Sequence, residues 1–332
     1  MNLPELQQFL NVPRRVAILT HTRPDGDAIG SSLGLWHFLK ACGHQPTVLI
    51  PTPMPALFDF LPDSHTIICY EDMPKQAMEQ LQSAEILFIL DLNDYKRLEG
   101  LCEAASQHPA PKVLIDHHLY PSIEADFAHC NVHISSTAEL IYQFIGLLGK
   151  HDALDAAIAT CIYTGIATDT GRFKFNTQAE TLATVSHLLR CGIDMAYLNR
   201  QIFDQNSEKQ LRLLGFALSE RLTLLPQYNA AYIALDNKDL ARFGFEAGDT
   251  EGIVNYPLSI AAIQIAALIT EREGKVRLSL RSQGNFSVND LSRRYFNGGG
   301  HQNAAGGSSN LSLAETVALF EQALREMVGE TA

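Results

Sequence analysis

Three apolar segments in the first part of the chain each run directly into acidic or imidazole side chains, and this pattern constrains the fold most. The segments are residues 15–20, 85–90 and 113–115. The side chains that follow them are His21, Asp25 and Asp27 after the first, Asp91 after the second, and Asp116, His117 and His118 after the third. Continuous apolar runs of this length are typical of buried parallel strands. The pattern therefore predicts an α/β fold with a parallel sheet.

These side chains are of the types that bind divalent metal ions. Imidazole nitrogens and carboxylate oxygens suit Mn²⁺, Mg²⁺, Fe and Zn²⁺, and the carboxyl ends of strands are where open α/β sheets bind ligands. Each segment also has a simpler interpretation, because Pro-Asp-Gly-Asp is typical of a turn and Asp27 could cap the next helix. Three coincidences of ligand type favour a shared site. Asp169, after an apolar helix predicted at residues 153–168, is one more carboxylate, although a helix C-terminal turn also explains it.

Charge and cysteine content limit the class of protein. The 332 residues carry a net charge of −12, which argues against binding along long duplex nucleic acid, because such binding needs a basic groove. The six cysteines include no C-x-x-C pair, so a zinc ribbon is not expected. We find no signal-peptide core and no apolar run that approaches the ~20 residues of a membrane span. We therefore expect a cytoplasmic protein without a membrane segment.

The pattern changes near residue 220. Residues 177–219 are predicted to be helical, and the chain is divided into a domain at 1–190, a helical linker at 191–218 and a domain at 219–332. In the last domain, strands at residues 222–225, 230–234, 260–270 and 276–280 are expected to pair antiparallel, with another hairpin turn at 282–285. A glycine-rich loop, residues 298–307, contains His301. Such a loop can present N–H groups to an anion, although His301 could equally be structural.

In this order, the motifs resemble the DHH phosphoesterase superfamily, and the glycine motif resembles its DHHA1 domain. The resemblance covers about residues 12–328, and the short, two-domain NrnA type is the most similar branch. It implies an N-terminal Rossmann-like parallel sheet flanked by helices and a smaller mixed α+β C-terminal domain. It also implies a phosphoric ester hydrolase that acts on very short oligoribonucleotides (a nano-RNase) and on 3′-phosphoadenosine 5′-phosphate, pAp.

The resemblance further implies a site for two divalent cations, with Mn²⁺ preferred to Mg²⁺. The implied ligands are His21, Asp25 and Asp91 for one cation, and Asp27, Asp91, His117 and Asp169 for the other. His118 and Asp116 are the implied catalytic residues, His118 facing the substrate phosphate and Asp116 orienting a ligand imidazole. The implied substrate-binding residues are Arg97, Arg281, Gly298, Gly299, Gly300 and His301.

Two cations that share the Asp91 carboxylate would activate a water molecule for attack on phosphorus. Two other functions remain open at this point. One is a phosphodiesterase for linear dinucleotides such as pApA or pGpG, and the other is a nucleotide sensor that binds without turnover. The sequence also leaves open the preferred substrate, the direction of cleavage, the native metal and the oligomeric state, a homodimer included.

Overall fold

The computed structural model describes residues 2–246, 248–272 and 274–331, with side chains described as far as Val328. It divides into two compact units, Met1–Gln205 and Asn206–Ala332. This division falls inside the segment for which the sequence predicts a helical linker.

A sheet of six parallel strands forms the centre of the first unit. The strands are β1 (Arg15–Leu19), β2 (Gln45–Ile50), β3 (Ile68–Cys69), β4 (Ile86–Leu90), β5 (Lys112–Asp116) and β6 (Phe127–Cys130). Their order is β3-β2-β1-β4-β5-β6, and every neighbouring pair is parallel. The direction in which strands are added reverses between β1 and β4. In open α/β sheets this reversal leaves a crevice at the carboxyl ends of the strands.

Helices cover both faces of this sheet, as the apolar strands require. The helices are α1 (Leu3–Phe9), α2 (Gly26–Ala41), α3 (Pro74–Ser83), α4 (Cys102–Ser106), α5 (Thr137–Leu147), α6 (Ala156–Asp169), α7 (Ala179–Arg190) and α8 (Met195–Phe203). Along β4, Phe88 packs into one apolar core and Leu87 into the other. The predicted Rossmann-like sheet flanked by helices is confirmed.

Helices α2 and α6 pack against each other at backbone distance. A Cβ atom added to Gly30 of α2 would lie 2.5 Å from the carbonyl oxygen of Cys161 and 2.8 Å from the amide nitrogen of Gly165, both on α6. Only glycine allows this approach without a shift of the backbone. The packing matters for the site because α2 begins beside Asp27 and α6 ends at Asp169.

The second unit is a mixed sheet with helices, which confirms the predicted α+β class. Its elements are α9 (Glu208–Glu220), β7 (Leu222–Leu225), β8 (Ala230–Leu235), α10 (Asn237–Arg242), β9 (Ile265–Arg272), β10 (Lys275–Ser282), α11 (Val288–Tyr295), β11 (Gly299–His301), β12 (Ala304–Ser309) and α12 (Leu313–Thr331). The strand order is β11-β12-β10-β9-β8-β7. The β8–β9 pair is parallel and the other neighbouring pairs are antiparallel.

Several predictions for this unit were wrong. Strands β8 and β9 are parallel rather than antiparallel, because α10 and two short 3₁₀ turns carry the chain back to the same end of the sheet. Strand β9 begins at Ile265, not at residue 260, since residues 260–263 form a turn in which the N–H of Ile263 donates to the carbonyl of Ile260 at 2.8 Å. Residues 282–285 do not close a hairpin. The chain continues into α11, whose start is capped by Ser287, and β10 pairs with β12 instead.

The glycine-rich segment is a β-hairpin rather than an open loop. Strands β11 and β12 pair through Gly299 with Gly306 and through His301 with Ala304. A Cβ atom at Gly298 would lie 1.9 Å from the carbonyl oxygen of Gly306, so the glycines are needed for the close approach of the two strands.

Among the residues that the structure describes, none of the helices combines the length and the apolar character needed to cross a bilayer.

Candidate functional site

Three strand ends bring the predicted residues of the first unit together. His21 lies just beyond β1, Asp91 directly follows β4, and Asp116 is the last residue of β5. Strands β1 and β4 lie on either side of the reversal in strand order, and β5 is the neighbour of β4. Asp91 adopts a left-handed backbone conformation, with φ of 57°, and its N–H still donates to the carbonyl of Ile115 on β5. The chain therefore changes direction at Asp91, while the backbone of Asp91 remains hydrogen-bonded to β5.

The start of α2 separates the roles of Asp25 and Asp27. Asp25 is the N-cap, because its carboxylate accepts the N–H groups of Asp27 and Ala28 at 3.1 and 3.0 Å. Asp27 is therefore not the cap that one interpretation of the sequence allowed. Its buried carboxylate instead accepts the N–H groups of Thr137 and Ala138, at 2.7 and 2.8 Å.

Among the described residues, two of the groups of potential metal donors consist of predicted ligands alone, and Asp91 faces both of them. The ligand atoms of each group lie within 4.8 Å of one another, and the groups are His21, Asp25 and Asp91, and Asp27, His117 and Asp169. The Oδ2 atom of Asp91 lies 3.4 Å from Nε2 of His21, whereas its Oδ1 atom lies 3.5 Å from Nε2 of His117. One carboxylate thus presents a different oxygen to each group.

His117 is the centre of the second group. Its Nε2 atom lies 3.6 Å from an oxygen of Asp27 and 3.6 Å from an oxygen of Asp169. The groups within ion-pair distance of the buried Asp27 and Asp91 carboxylates are histidines, which are cationic only when they are protonated. Buried carboxylates gathered around imidazoles are a donor set that a divalent cation satisfies. The residues present therefore fit the metal ions that the family resemblance implies.

The pKa values show how strongly this arrangement attracts positive charge. Burial alone would lower the pKa of the His117 imidazole, but the carboxylates of Asp91, Asp169 and Asp27 outweigh it and raise that pKa well above its usual value. The pKa of His21 is raised for the same reason, mainly by Asp91. Burial and the neighbouring carboxylates raise the pKa of Asp169 to about 6, although His117 opposes this rise. Protons and metal ions therefore compete for the same lone pairs.

Asp116, His118 and Arg97 form a chain of contacts beside the two groups. The Nδ1 atom of His118 donates to Oδ1 of Asp116 at 2.7 Å, and its Nε2 atom lies 3.2 Å from Nη1 of Arg97. The imidazole that Asp116 contacts is thus that of His118. The other oxygen of Asp116 is buried and has no hydrogen-bond partner among the described residues. Their roles in catalysis and phosphate binding stay predictions.

The other predicted residues lie in the second unit. Arg281 is on β10, and its guanidinium donates to the carbonyl of Leu280 at 3.0 Å. Gly299, Gly300 and His301 form β11, directly after Gly298. The N–H of Gly300 donates to the side chain of Asn289 at 3.0 Å, so this amide already has a partner on α11. Phosphate binding by these residues also stays a prediction.

Sequence reasoning missed Thr137. This residue begins α5 and is fully buried, and its hydroxyl donates to Oδ1 of Asp91 at 3.0 Å. The signal in the sequence is Ser135-Ser-Thr-Ala-Glu139, a pattern that by itself indicates only a helix cap. Ser136 is that cap, since it accepts the N–H of Glu139 at 3.1 Å.

Comparisons with known proteins agree with this geometry. Residues 15–166 match the N-terminal domain of the DHH family, and residues 227–330 match the DHHA1 domain. The chain is 31% identical to the bifunctional oligoribonuclease and PAP phosphatase NrnA of Thermus thermophilus over 316 residues, which are 94% of this chain and 89% of that protein. The chain belongs to the DHH family of phosphoesterases. This DHH protein is thus a phosphoric ester hydrolase, as the resemblance implied.

Two further relatives of this DHH protein cover nearly its whole length. The bifunctional oligoribonuclease and PAP phosphatase NrnA of Bacillus subtilis is 29% identical, over 92% of both chains. The crystal structure of an exopolyphosphatase-related protein from Bacteroides fragilis matches with a TM-score of 0.94 at 36% identity, and the match covers 98% of this chain and 96% of that chain. The DHH/DHHA1 architecture predicted from the motifs is confirmed.

Proposed function

We propose that this DHH enzyme hydrolyses very short oligoribonucleotides and pAp, and that two divalent cations held by the first unit support the reaction. The observation that carries the proposal is the Asp91 carboxylate, whose two oxygens face two separate donor groups. Phosphoryl-transfer enzymes commonly hold a pair of metal ions ~3.5–4 Å apart, and a shared carboxylate suits that spacing. The names of the Thermus and Bacillus relatives support the class of substrate.

The proposed ligands fall into two sets that share one carboxylate. His21, Asp25 and Asp91 would hold one cation, and Asp27, Asp91, His117 and Asp169 would hold the other. When bound, the cations would supply an activated water molecule and neutralise charge on the phosphoryl oxygens. Oxygen and imidazole donors without any thiolate favour Mn²⁺ or Mg²⁺. We propose Mn²⁺ as the native ion.

The residues around these ligands orient the phosphate. The carboxylate of Asp116 accepts from Nδ1 of His118, which fixes the tautomer and leaves Nε2 directed at Arg97. We propose that Arg97 donates to phosphoryl oxygens from this position and that His118 faces the same phosphate. A guanidinium suits this role because its planar N–H groups match phosphate geometry.

We further propose that the second unit binds a phosphate group of the substrate through Arg281, the Gly298–Gly300 segment and His301. The proposed division of labour is a catalytic domain at residues 1–190, a helical linker at 191–218 and a substrate-binding domain at 219–332. The N–H groups of Gly298 and Gly300 already donate to the carbonyl of Ser292 and to the side chain of Asn289, at 3.3 and 3.0 Å, so a bound phosphate would have to replace these bonds. The substrates proposed are small, and the net charge of −12 agrees with this choice.

The test is a substrate panel assayed with Mn²⁺, with Mg²⁺ and with EDTA. The panel contains pAp, pApA, oligoribonucleotides of increasing length and a long RNA duplex. We expect release of phosphate or mononucleotide from pAp and from the shortest RNAs, only when a divalent ion is present. Faster turnover of pApA than of either would identify a linear-dinucleotide phosphodiesterase, and binding without turnover would identify a sensor.

The Asp91→Asn variant tests the observation that carries the proposal. We expect it to lose about 100-fold or more in rate, because an amide cannot bridge two cations as a carboxylate does. The matched control is Asp126→Asn in the same unit, where the carboxylate accepts the N–H of Lys112 at the start of β5, the opposite edge of the sheet. Equal activity of Asp91→Asn and wild type would refute the bridging role.

A further inference from the structure

We propose that Thr137 is a positioning residue that sets the spacing between the carboxylates of Asp27 and Asp91. This inference rests on the proposed metal site, since both acids are proposed ligands there. It goes beyond that proposal because Thr137 itself contacts no cation in it. The role assigned to Thr137 is to hold two acids from different parts of the chain in one fixed arrangement.

The contacts that carry the inference all come from the first turn of α5. The N–H of Thr137 donates to Oδ2 of Asp27 at 2.7 Å, and its hydroxyl donates to Oδ1 of Asp91 at 3.0 Å. The N–H of Ala138 donates to the other oxygen of Asp27, Oδ1, at 2.8 Å. One residue on a rigid helix therefore touches an acid after β1 and an acid after β4.

The geometry leaves both acids able to bind a cation. Each carboxylate oxygen offers two lone pairs, and each of the three contacted oxygens accepts one of these hydrogen bonds. A second lone pair remains on each oxygen for a metal ion. The partial positive charge at a helix N-terminus also favours carboxylates at this position before any cation binds. Thr137 thus orients the acids without neutralising them.

The start of α5 is itself held firmly in place. Glu139 is buried, and its carboxylate accepts the hydroxyls of Ser135 and of Thr181, the latter at 2.9 Å. On the opposite side, a Cβ atom at Gly165 of α6 would lie 2.5 Å from Cβ of Ala138 and 2.8 Å from Oδ1 of Asp27. The absence of a side chain at Gly165 therefore lets α5 and Asp27 come together. A firmly held helix end can transmit its own position to both acids.

The test uses substitutions that separate the hydroxyl from the shape of the side chain. Thr137→Val keeps the branched shape and removes the donor, whereas Thr137→Ser keeps the donor. The matched control is Thr316→Val in the second unit, where an equally buried threonine donates to Ser309 at 3.0 Å. Each intact protein is titrated with Mn²⁺ alone by calorimetry, and the bound ions are examined by electron paramagnetic resonance for a spin-coupled pair.

We expect wild type to bind two Mn²⁺ ions as a coupled pair. Thr137→Val should weaken the Mn²⁺ affinity about 10- to 100-fold and reduce the coupled signal, since outer contacts to ligands typically contribute this much to metal affinity. Thr137→Ser should stay within about 3-fold of wild type, and Thr316→Val should not change. Circular dichroism in EDTA checks that each variant is folded. If Thr137→Val fails to fold, Thr137→Ala replaces it in the test. Alanine also lacks the hydroxyl, but it places no methyl group against Asp91.

The outcomes distinguish this inference from the proposed function. If wild type binds two ions and Thr137→Val and Thr137→Ala bind them as tightly, the positioning role is refuted and the proposed function stands. An equal loss of affinity in Thr316→Val also refutes it, because the effect would then not be local. If wild type binds no Mn²⁺, the metal site fails and the inference fails with it.

Discussion

Replacing Gly30 with alanine tests whether the close packing of α2 and α6 holds the site together. The new Cβ atom would lie 2.5 Å from the carbonyl oxygen of Cys161 and 2.8 Å from the amide nitrogen of Gly165. Both neighbours are backbone atoms, so the helices must separate by roughly 0.5 Å or more to relieve the contact. Overpacking of this kind costs up to about 3 kcal/mol, and the better helix propensity of alanine returns about 1 kcal/mol. We expect Gly30→Ala to lose about 2 kcal/mol of stability.

The same shift should reach the metal ligands, because functional constellations tolerate displacements of only about 0.5 Å. Asp27 lies at the start of α2 and Asp169 at the end of α6, so their separation follows that of the helices. We expect Gly30→Ala to weaken Mn²⁺ binding about 10-fold as well. Urea unfolding followed by the single tryptophan, Trp36 of α2, reports on this unit, and calorimetry reports Mn²⁺ affinity.

The matched control is Gly215→Ala in α9, where an added Cβ atom meets nothing within 4 Å. The same substitution should there stabilise the protein by about 0.5–1 kcal/mol through helix propensity alone, as measured by circular dichroism. Opposite signs for the two substitutions are the expected result. A Gly30→Ala protein as stable as wild type, with unchanged Mn²⁺ affinity, would refute the reasoning.

Three further measurements follow from the site. Folding takes up protons at His117 and His21, because their folded-state pKa values are raised above 6.5. The stability that these two histidines supply is complete below about pH 6.5 and is lost as the pH rises through their folded pKa values. Urea midpoints in EDTA should therefore be lower at about pH 8 than at about pH 6, and a higher midpoint at the upper pH would contradict this. Mn²⁺ at about 100 times its dissociation constant should raise the free energy of unfolding by about 2.7 kcal/mol for each ion bound, and a thermal scan that is the same with Mn²⁺ and with EDTA would rule out the site. Arg97→Ala should raise KM for pAp about 10-fold or more while the Mn²⁺ affinity stays unchanged, because a charged hydrogen bond to phosphate contributes about 1.5–3 kcal/mol. An unchanged KM would show that Arg97 does not contact the phosphate.

The parallel sheet could be predicted because each buried strand is a short apolar run that ends in polar residues. The residues at the ends of β1, β4 and β5 could be predicted to meet for the same reason, since parallel strands end at one edge. Which histidine Asp116 contacts could not be read from the sequence. His117 and His118 are adjacent, and the direction of each side chain depends on how the chain turns after β5.

Thr137 could not be assigned from local pattern, because its contacts join it to residues 46 and 110 positions away. A threonine at the start of a helix is satisfied locally in most proteins, so its sequence position indicates only a helix start. The parallel pairing of β8 and β9 was missed because a crossover that contains only one short helix, α10, resembles a loop in sequence. Helix α11 was missed since Gln283-Gly284-Asn285 before it is typical of a hairpin turn.

The proposed ligands are distributed along the chain from residue 21 to residue 169, so that almost all of the first unit must be synthesised before they can meet. A nascent chain whose first residues have just emerged from the ribosome carries the His21-to-Asp27 motif but not the helix that ends at Asp169. Cation loading therefore follows the completion of this unit and cannot guide its earliest folding. Short proteolytic fragments that keep the motif should have no measurable enzymatic activity. In the cell, only a chain that includes the whole first unit would then be active.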